Sequence, residues 1–422
     1  MNAGAWLGLL LVVTFVVLPP GGEVPPVPKV GLGCVVDNDS SAFRILRGQW
    51  VPSARNEGSI GSGYLWNTKR AQDQLGPDAV EWRPEIPESG LYKVYARWVW
   101  GKGDRATNAP YTIHFAAPSA PDETQTPGLR QAQPALSVSK GEAAAEVRRV
   151  DMSNANLAGK WNLLGAFSFA KGTGGSVELT DDADNTVVAD ALKFTPVTES
   201  DWRTLTTVER GDLLWEETFA GDLSHWVVEG PAQARIEEGR LFLQPLTGEG
   251  AESPGMPGVL VWRKDDLPSD FLMEWDFTPV SKPQGFFLVF FAAAGKGGED
   301  LFDPSLPPRA GDFPQYTEGA INCYHISYCR NYENSVNLRK NAGLNLVSST
   351  ELSVIREPAG AHHVELAKKG GYIRLRVDEK VCLEWLDEGE VLGPVLGGGK
   401  FGFREVYDTA GYYDNVRCYR LK

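Results

Sequence analysis

Short runs of alternating apolar and polar residues recur along the chain, separated by glycine, proline, asparagine and aspartate. Examples are YKVYARWVW at 92–100, RIEEGRLFLQ at 235–244, FLMEWDFTPV at 271–280 and YIRLRVDEKVCLEW at 372–385. Successive side chains of a strand point to opposite faces, so this alternation predicts half-buried strands. Helical periodicity is nearly absent, and many short strands between turn residues are typical of β-sandwiches. The sequence therefore predicts an all-β protein.

The length of 422 residues allows two domains. One strand-rich block closes before TESDWRTLTTVERGD, and WEETFAGDLSHW opens another after it. We therefore expect two β-sandwich domains, at 34–197 and 213–422, joined by a linker at 198–212.

The N-terminus carries AWLGLLLVVTFVVL, an unbroken apolar run at 5–18 that precedes a proline- and glycine-rich stretch. The run is shorter than the roughly 20 residues that a membrane-spanning helix needs. Residues 1–24 are therefore expected to be a secretory signal peptide or an uncleaved anchor. Either places the mature protein outside the cytoplasm, as a secreted, periplasmic or cell-surface protein. We expect no other membrane contact.

The formal net charge of −14 argues against nucleic acid and anionic membrane surfaces as partners. It remains compatible with an anionic substrate where arginine and lysine cluster locally. The chain also holds 13 tryptophans, which serve either as sugar platforms or as core residues. Five cysteines are too few for a disulfide framework, and pairing of Cys382 with Cys418 stays open.

The first block contains VVDNDSSAFRI, WRPEIPESGLYKVYARW, RATNAPYTI and WNLLGAFSFAKGTGGSVELTDDAD. With these motifs it resembles the golvesin C-terminal or xanthan-lyase carbohydrate-binding-like module, a β-sandwich. The resemblance implies an accessory domain for glycan binding. Its acidic turn, with Asp181, Asp182 and Asp184, is either a calcium site or a solvated hairpin turn.

The second block resembles the YesU-like family of secreted or saccharide-locus proteins. The match runs through WEETFAGDLSHWVVEG and FLMEWDFTP, and is densest from LFDPSLPPRAGDFPQY to NLRKNAGLNLV. The resemblance implies a concanavalin A-like jelly roll and a saccharide context. It implies no settled reaction, so the chemistry has to come from the residues.

The stretch INCYHISYCRNYENSVNLRKNAGL at 321–344 concentrates polar and aromatic groups. If 321–328 is a strand, alternation places His325 on one face with Cys323 and Ser327. The large side chains of Tyr324, Ile326 and Tyr328 then lie on the other face and suit packing between sheets. We expect His325 to point into the open concave groove of the jelly roll.

A second strand after the NYENS break would place Arg339 beside His325. β-Elimination of a uronate needs a neutraliser for the carboxylate, a base for the C5 proton and an acid for the leaving oxygen. The leading prediction is therefore a lyase acting on an acidic polysaccharide, with no required cofactor. The predicted catalytic residues are His325, Arg339 and Tyr328, the last only if a bulge breaks the alternation, and the predicted substrate-binding residues are Asn337, Asn341, Ser327, Tyr316, Tyr332 and Lys340.

Two alternatives stay open. A glycoside hydrolase needs two carboxylates about 5–9 Å apart, and Glu274 with Asp276, at alternate positions of one strand, is the best pair. A non-catalytic lectin-like protein would use the same groove residues only for hydrogen bonds to sugar. By resemblance to concanavalin-like sandwiches, Asp414 is expected near a structural calcium.

Overall fold

The structure is a computed structural model that describes residues 33–68, 76–116, 143–246, 258–280, 287–328, 335–351, 360–406 and 409–422. The predicted segment 1–24 lies outside these residues. The described part contains no helix that is long and apolar enough to cross a membrane.

The described residues between 34 and 197 form twelve strands in three antiparallel sheets. Their orders are β1-β12-β6-β9, β2-β5-β10-β7-β8 and β11-β4-β3. The strands are β1 (Cys34–Asp37), β2 (Phe43–Arg47), β3 (Val51–Ser53), β4 (Tyr64–Asn67), β5 (Ala79–Trp82), β6 (Gly90–Arg97), β7 (Ala109–Ala116), β8 (Ala143–Val150), β9 (Asn162–Phe169), β10 (Ser176–Thr180), β11 (Val187–Ala189) and β12 (Ala191–Val197).

Helix α1 (Glu199–Thr206) lies within the stretch expected to be a linker. Thr198 caps its N-terminus, because the Thr198 hydroxyl accepts a hydrogen bond from the amide of Asp201 at 3.0 Å. The next strand begins at Arg210, two residues before the end of the predicted linker. A cap of this type is readable from TESD, but the eight-residue helix it starts buries no side chain and shows no apolar face.

The C-terminal part builds two antiparallel sheets. One has the order β15-β16-β27-β18-β23-β24-β25, with β13 also paired to β27, and the other has the order β14-β17-β26-β19-β20-β21-β22. These elements are β13 (Arg210–Glu217), β14 (Trp226–Glu229), β15 (Ala232–Glu237), β16 (Arg240–Pro245), β17 (Gly258–Arg263), β18 (Phe271–Pro279), β19 (Phe287–Gly295), α2 (Pro314–Thr317), β20 (Ile321–Tyr328), β21 (Ser335–Asn341), β22 (Asn345–Glu351), β23 (His362–Lys369), β24 (Tyr372–Val377), β25 (Lys380–Leu386), β26 (Lys400–Val406) and β27 (Gly411–Leu421).

The core of the C-terminal part lies between these two sheets. Met273, Trp275 and Phe277 of β18 face Phe291 of β19 and Phe403 of β26 across it, all fully buried. Alternation along β18 sends Glu274 and Asp276 to the opposite, outer face. This arrangement confirms the predicted all-β fold with a jelly-roll sandwich at the C-terminus.

A second apolar layer covers part of the other face of the seven-stranded sheet. Leu301 and Tyr316, from the segment that leads into and through α2, pack on Trp262 and Phe290. Residues 301–317 therefore lie over β17, β26, β19 and β20, while β21 and β22 extend beyond them. This covering segment decides which predicted site residues meet solvent.

Candidate functional site between the two domains

Strands β20 and β21 form an antiparallel hairpin that brings the predicted polar residues together. His325 lies opposite Arg339, Ser327 opposite Asn337, and Cys323 opposite Asn341. Tyr324, Ile326 and Tyr328 belong to the core between the two sheets. The His and Arg side chains therefore share the face that points away from the core, as the alternation predicts.

His325 does not line an open groove, so that prediction is wrong. The side chain is only 1% exposed, because two aromatic rings cover the imidazole. The ring of Phe313, from the covering segment, packs edge-on with its centre 5.6 Å from the imidazole centre, and the ring of Phe290 stacks with its centre 4.9 Å away. Its Nδ1 lies 2.8 Å from Nδ2 of Asn341. Burial, with the nearby charges of Arg339 and Arg404, holds the pKa of His325 well below its usual range. The imidazole is a neutral, structural group.

The two tyrosines assigned to the site are also buried. Tyr328 is fully buried between the sheets, with its ring 5.7 Å from that of Phe277, so it cannot reach a substrate on the His325 face. Tyr316 is expected on a rim but is fully buried, and its hydroxyl accepts a hydrogen bond from the amide of Gly311 at 3.1 Å. Both assignments are wrong because aromatic layers fill the space around these rings. Tyr332 lies outside the described residues.

Lys340 lies on the core side of β21 and makes a buried ion pair. Its Nζ is 2.7 Å from Oδ2 of Asp387, and it donates to the carbonyls of Gly393 and Pro394 at 2.9 and 2.7 Å. The ammonium is 3% exposed, so its predicted role in substrate binding is wrong. Lys340 instead ties the hairpin to the turn after β25.

Asn341 and Ser327 are buried as well. Asn341 is 3% exposed and donates to the sulfur of Cys323 at 3.3 Å as well as lying against His325. Ser327 is 7% exposed. Their predicted contact with substrate is wrong because the layer above β20 excludes solvent.

Arg339 does reach an open space, a cleft between the two domains with a volume of about 640 Å³, and Asn337, only 4% exposed, forms part of its lining. The C-terminal wall comes from β21 and β22, and the N-terminal wall from β8 and the turns beside β7, β8 and β11. The lining is mostly polar. Its residues are Thr107, Asn108, Val147, Arg149, Asp151, Asp182, Ala183, Asp184, Ser335, Asn337, Arg339, Leu346, Ser349 and Thr350.

The C-terminal wall holds its polar groups in place through hydrogen bonds. Nη1 of Arg339 donates to the carbonyl of Leu344 at 2.9 Å, which fixes one side of the guanidinium. The amide oxygen of Asn337 accepts from the hydroxyl of Ser349 at 2.6 Å. Arg339 is partly exposed, so it is the predicted residue that is best placed to contact a ligand.

The N-terminal wall is ordered in the same way. Asp184 accepts hydrogen bonds from the amide of Thr107, at 2.8 Å, and from its hydroxyl. Arg149 donates from Nη1 to the carbonyl of Asn108 at 3.1 Å. Asp151 accepts from the amide and hydroxyl of Ser153 at 2.9 and 2.6 Å. Carboxylates, amides, hydroxyls and guanidinium groups therefore converge on one space.

Direct contacts join the two domains outside the cleft lining. Glu388 binds Nζ of Lys93 at 2.6 Å and accepts from the hydroxyl of Tyr95 at 2.9 Å. The side-chain oxygen of Asn345 accepts hydrogen bonds from the side-chain amide nitrogens of Asn154 and Asn156 at 2.9 and 3.1 Å. These contacts flank the cleft residues, since Asn345 precedes Leu346 on β22.

The comparisons with known proteins agree with this two-part organisation. Residues 212–418 match the family described as domain of unknown function DUF1961. Over 200 residues the chain is 34% identical to the uncharacterized protein YesU of Bacillus subtilis, covering 46% of this chain and 87% of YesU. The chain belongs to the DUF1961 family. A crystal structure of a Bacillus subtilis protein of unknown function with a galectin-like fold is 31% identical and covers 51% of this chain and 99% of that chain, with a TM-score of 0.47.

The part before the DUF1961 domain matches a second family. Residues 34–126 and 128–196 match the golvesin C-terminal domain, so both predicted resemblances are confirmed. Over 178 residues the chain is 29% identical to a xanthan lyase of a Bacillus species, covering 41% of this chain but only 15% of the lyase.

The hydrolase candidates lie on the outer face of the DUF1961 domain, away from the cleft. Glu274 is buried and paired with Arg210. Asp276 accepts from Nδ1 of His363 at 2.9 Å and from Asn415 at 2.8 Å. Both carboxylates of the pair are thus held by partners on the sheet surface.

This outer face also holds a group of side chains of metal-ligand type, and the predicted calcium residue Asp414. Glu274, His363 and Glu365 have donor atoms within 4.8 Å of one another, but Glu365 is paired with Arg376 as Glu274 is with Arg210. Asp414 lies opposite Asp276 on the neighbouring strand. Burial, with Asp276 nearby, raises the pKa of Asp414. A calcium ion at Asp414 stays a prediction.

The N-terminal wall was missed by the sequence analysis as part of the site. The acidic turn with Asp182 and Asp184 was recognised only as a calcium site or a solvated turn, and Arg149 and Asp151 were not singled out. The sequence pattern gives no signal that the two walls of the cleft come together, because β8 meets β22 across a domain boundary. The side chain of Asp181 points elsewhere, since it accepts from the amide of Asp78 at 2.8 Å.

Proposed function

We propose that this protein binds a polysaccharide in the cleft between its golvesin C-terminal domain and its DUF1961 domain, outside the cytoplasm. The observation that carries the proposal is the ordered polar lining of that cleft, contributed by both domains. Sugars present many hydroxyl donors and acceptors, and carboxylates, amides and guanidinium groups match them. The xanthan lyase that shares the N-terminal module supports a saccharide ligand, and the apolar run at 5–18 supports export.

The volume and chemistry of the cleft favour a short segment of a chain as ligand. About 640 Å³ lies within the range of small-molecule sites. None of the described lining residues is aromatic, so recognition here depends on hydrogen bonds rather than on ring stacking. Arg339 and Arg149, one on each wall, supply the charges that would meet a uronate carboxylate.

The proposal is tested by affinity electrophoresis and calorimetry with acidic polysaccharides and matched neutral ones. Arg339→Ala is expected to weaken binding about 10-fold or more, since one charge-assisted contact contributes about 1.5–3 kcal/mol. Arg240→Ala is the matched control, because Arg240 lies on β16 and does not line the cleft. Equal binding by Arg339→Ala and the wild type would place the ligand elsewhere.

Lyase activity on the bound polysaccharide is the second candidate. It is favoured by Arg339 and Asn337, which were predicted to neutralise a uronate carboxylate and which both line the cleft. His325 and Tyr328 are too deeply buried to move the protons, so among the described lining residues the candidates for the base are Asp151, Asp182 and Asp184. A rise in absorbance near 235 nm that disappears in Arg339→Ala would support the lyase. Binding without that rise would leave a binding protein.

A further inference from the structure

Three aspartates of the N-terminal domain converge on one short loop. In loop 60–62, the backbone amide of Ile60 donates to Oδ1 of Asp190 at 3.0 Å. The backbone amide of Ser62 donates to Oδ2 of Asp39 at 2.7 Å. A Cβ built on Gly61 between them would lie 2.5 Å from Oδ1 of Asp37 and 2.8 Å from Oδ2 of Asp39. Loop 60–62 therefore lies against all three carboxylates.

Three side-chain oxygens in this cluster have no hydrogen-bond donor within the described part of the chain. Asp190 is fully buried and its Oδ2 has no hydrogen bond within the described part of the chain. The same is true of the buried Oδ2 of Asp37 and the buried Oδ1 of Asn38. Asn38 lies directly beside Asp190, since its amide donates to the Asp190 carbonyl at 3.0 Å. Buried acceptors without donors are rare and costly, so each points to a missing partner.

The protein groups nearby do not supply that partner. Nε of Arg97 lies 4.0 Å from Oδ2 of Asp190, beyond hydrogen-bond distance. That guanidinium donates instead to the carbonyl of Gly58, from Nε at 3.0 Å and from Nη2 at 2.7 Å. Burial, with the charges of Asp37 and Asp39, raises the pKa of Asp190 to about 7. The cluster therefore keeps three buried acceptor oxygens without donors, with the guanidinium of Arg97 as a nearby positive charge.

We propose that Asp37, Asn38 and Asp190 bind a calcium ion. Calcium takes six to eight oxygen ligands from carboxylates, side-chain amides, backbone carbonyls and water. The described residues around the cluster offer oxygens and no imidazole or thiolate, which disfavours zinc. This site is distinct from the cleft and from Asp414.

The position of the cluster predicts what the ion does. Asp37 ends β1, and Asp190 lies between β11 and β12, which belong to different sheets. Loop 60–62 leads into β4, the partner of β11. A bound ion would join two sheets and this loop, so its removal is expected to lower the stability of the N-terminal domain.

The first test is thermal unfolding of the full chain after EGTA treatment, with and without added calcium. Calcium at about 100 times its Kd is expected to raise the Tm by about 5–10 °C. Terbium luminescence gives a second readout, because the indole of Trp82 donates to the Asp190 carbonyl at 3.4 Å and would sensitise an ion there. A wild-type protein with neither response would overturn the proposal.

Variants locate the ion. Asp190→Asn keeps an acceptor for the loop amide and removes the charge, so it is expected to fold in EGTA and to lose both responses. Asn38→Ala, at a half-buried position, is the second variant and is expected to weaken both. Asp201→Asn, at an exposed position of α1, is the matched control and should respond like the wild type. A full calcium response in Asp190→Asn and Asn38→Ala, or its loss in Asp201→Asn, would contradict this site.

Discussion

Arg339 lies directly opposite His325 on the neighbouring strand, yet only Arg339 reaches the cleft between the domains. The covering segment ends above β20, where Phe313 packs on the imidazole. Beyond that edge, β21 faces the acidic turn of the golvesin C-terminal domain. A single step across the sheet therefore separates a structural residue from one that faces the ligand site.

Replacement of His325 by glutamine is expected to leave polysaccharide binding unchanged and to destabilise the fold by about 1–3 kcal/mol. Glutamine keeps a polar partner for Asn341 but loses the stacking on Phe290. Binding is measured by calorimetry and stability by urea unfolding at pH 7.5. A loss of binding in a folded His325→Gln variant would show that the imidazole contributes to the ligand site, contrary to its assignment as a structural group.

The same histidine predicts a loss of stability in acid. Its pKa is lowered in the folded state, so below about pH 6.5 the unfolded chain takes up a proton that the folded protein does not. The free energy of unfolding should then fall by about 1 kcal/mol per pH unit from this group. His325→Gln should show a shallower decline between pH 6.5 and 5. His225→Gln, at an exposed site, should decline like the wild type.

The fold was predictable from the sequence because alternation is a local property. The face of β20 that carries Tyr324, Ile326 and Tyr328 could be assigned from spacing alone. The opposite face could not be judged, because what covers it comes from residues 301–317 and from another domain. Local patterning therefore predicts which side chains share a face, but it does not predict what packs against that face.

The same limit explains the residues that were assigned wrongly or missed. Lys340 has the charge expected of a residue that contacts an acidic polysaccharide. Only the fold shows that its ammonium group forms a buried ion pair with Asp387. Arg149 lies on a different domain from Arg339, some 190 residues earlier in the chain by their numbers. No spacing rule links two walls that meet only through domain packing.

The ion pair between Lys340 and Asp387 provides a test of buried charge. Lys340→Met leaves the carboxylate of Asp387 buried without its ion-pair partner, although it still accepts from the hydroxyl of Tyr324 and the amide of Gly389, and should cost about 3–5 kcal/mol. The double variant Lys340→Met with Asp387→Leu should cost less than the single one. Denaturant unfolding of both variants and of Asp387→Leu gives the coupling energy.

A surface pair serves as the control for that cycle. Arg417 and Glu216, 2.7 Å apart, are both about one-third exposed, and Arg417→Ala should change the free energy of unfolding by about 0–1 kcal/mol. A cost for Lys340→Met in that same small range would contradict the structural role assigned to Lys340.

Glu405 predicts a loss of stability as the pH rises above about 4.3. It is fully buried and accepts from the hydroxyl of Tyr413 at 2.6 Å, and burial raises its pKa well above the usual range. The stability that this neutral carboxyl contributes is complete below about pH 4.3, the unfolded value, and falls as the pH rises toward the folded value. Glu405→Gln should therefore gain stability relative to the wild type as the pH rises. Glu209→Gln, at an exposed site, should show no such trend.

Glu388 provides the test of whether domain packing shapes the cleft. Its carboxylate joins the DUF1961 domain to Lys93 and Tyr95 without lining the cleft. Glu388→Ala should remove about 1 kcal/mol of interdomain coupling and weaken polysaccharide binding about 3- to 10-fold, although every lining residue is retained. Calorimetry measures the affinity, and scanning calorimetry should show the two domains unfolding at more widely separated temperatures. Glu390→Gln, on the same turn, is the control, and unchanged affinity in Glu388→Ala would mean that the two walls keep their spacing without this contact.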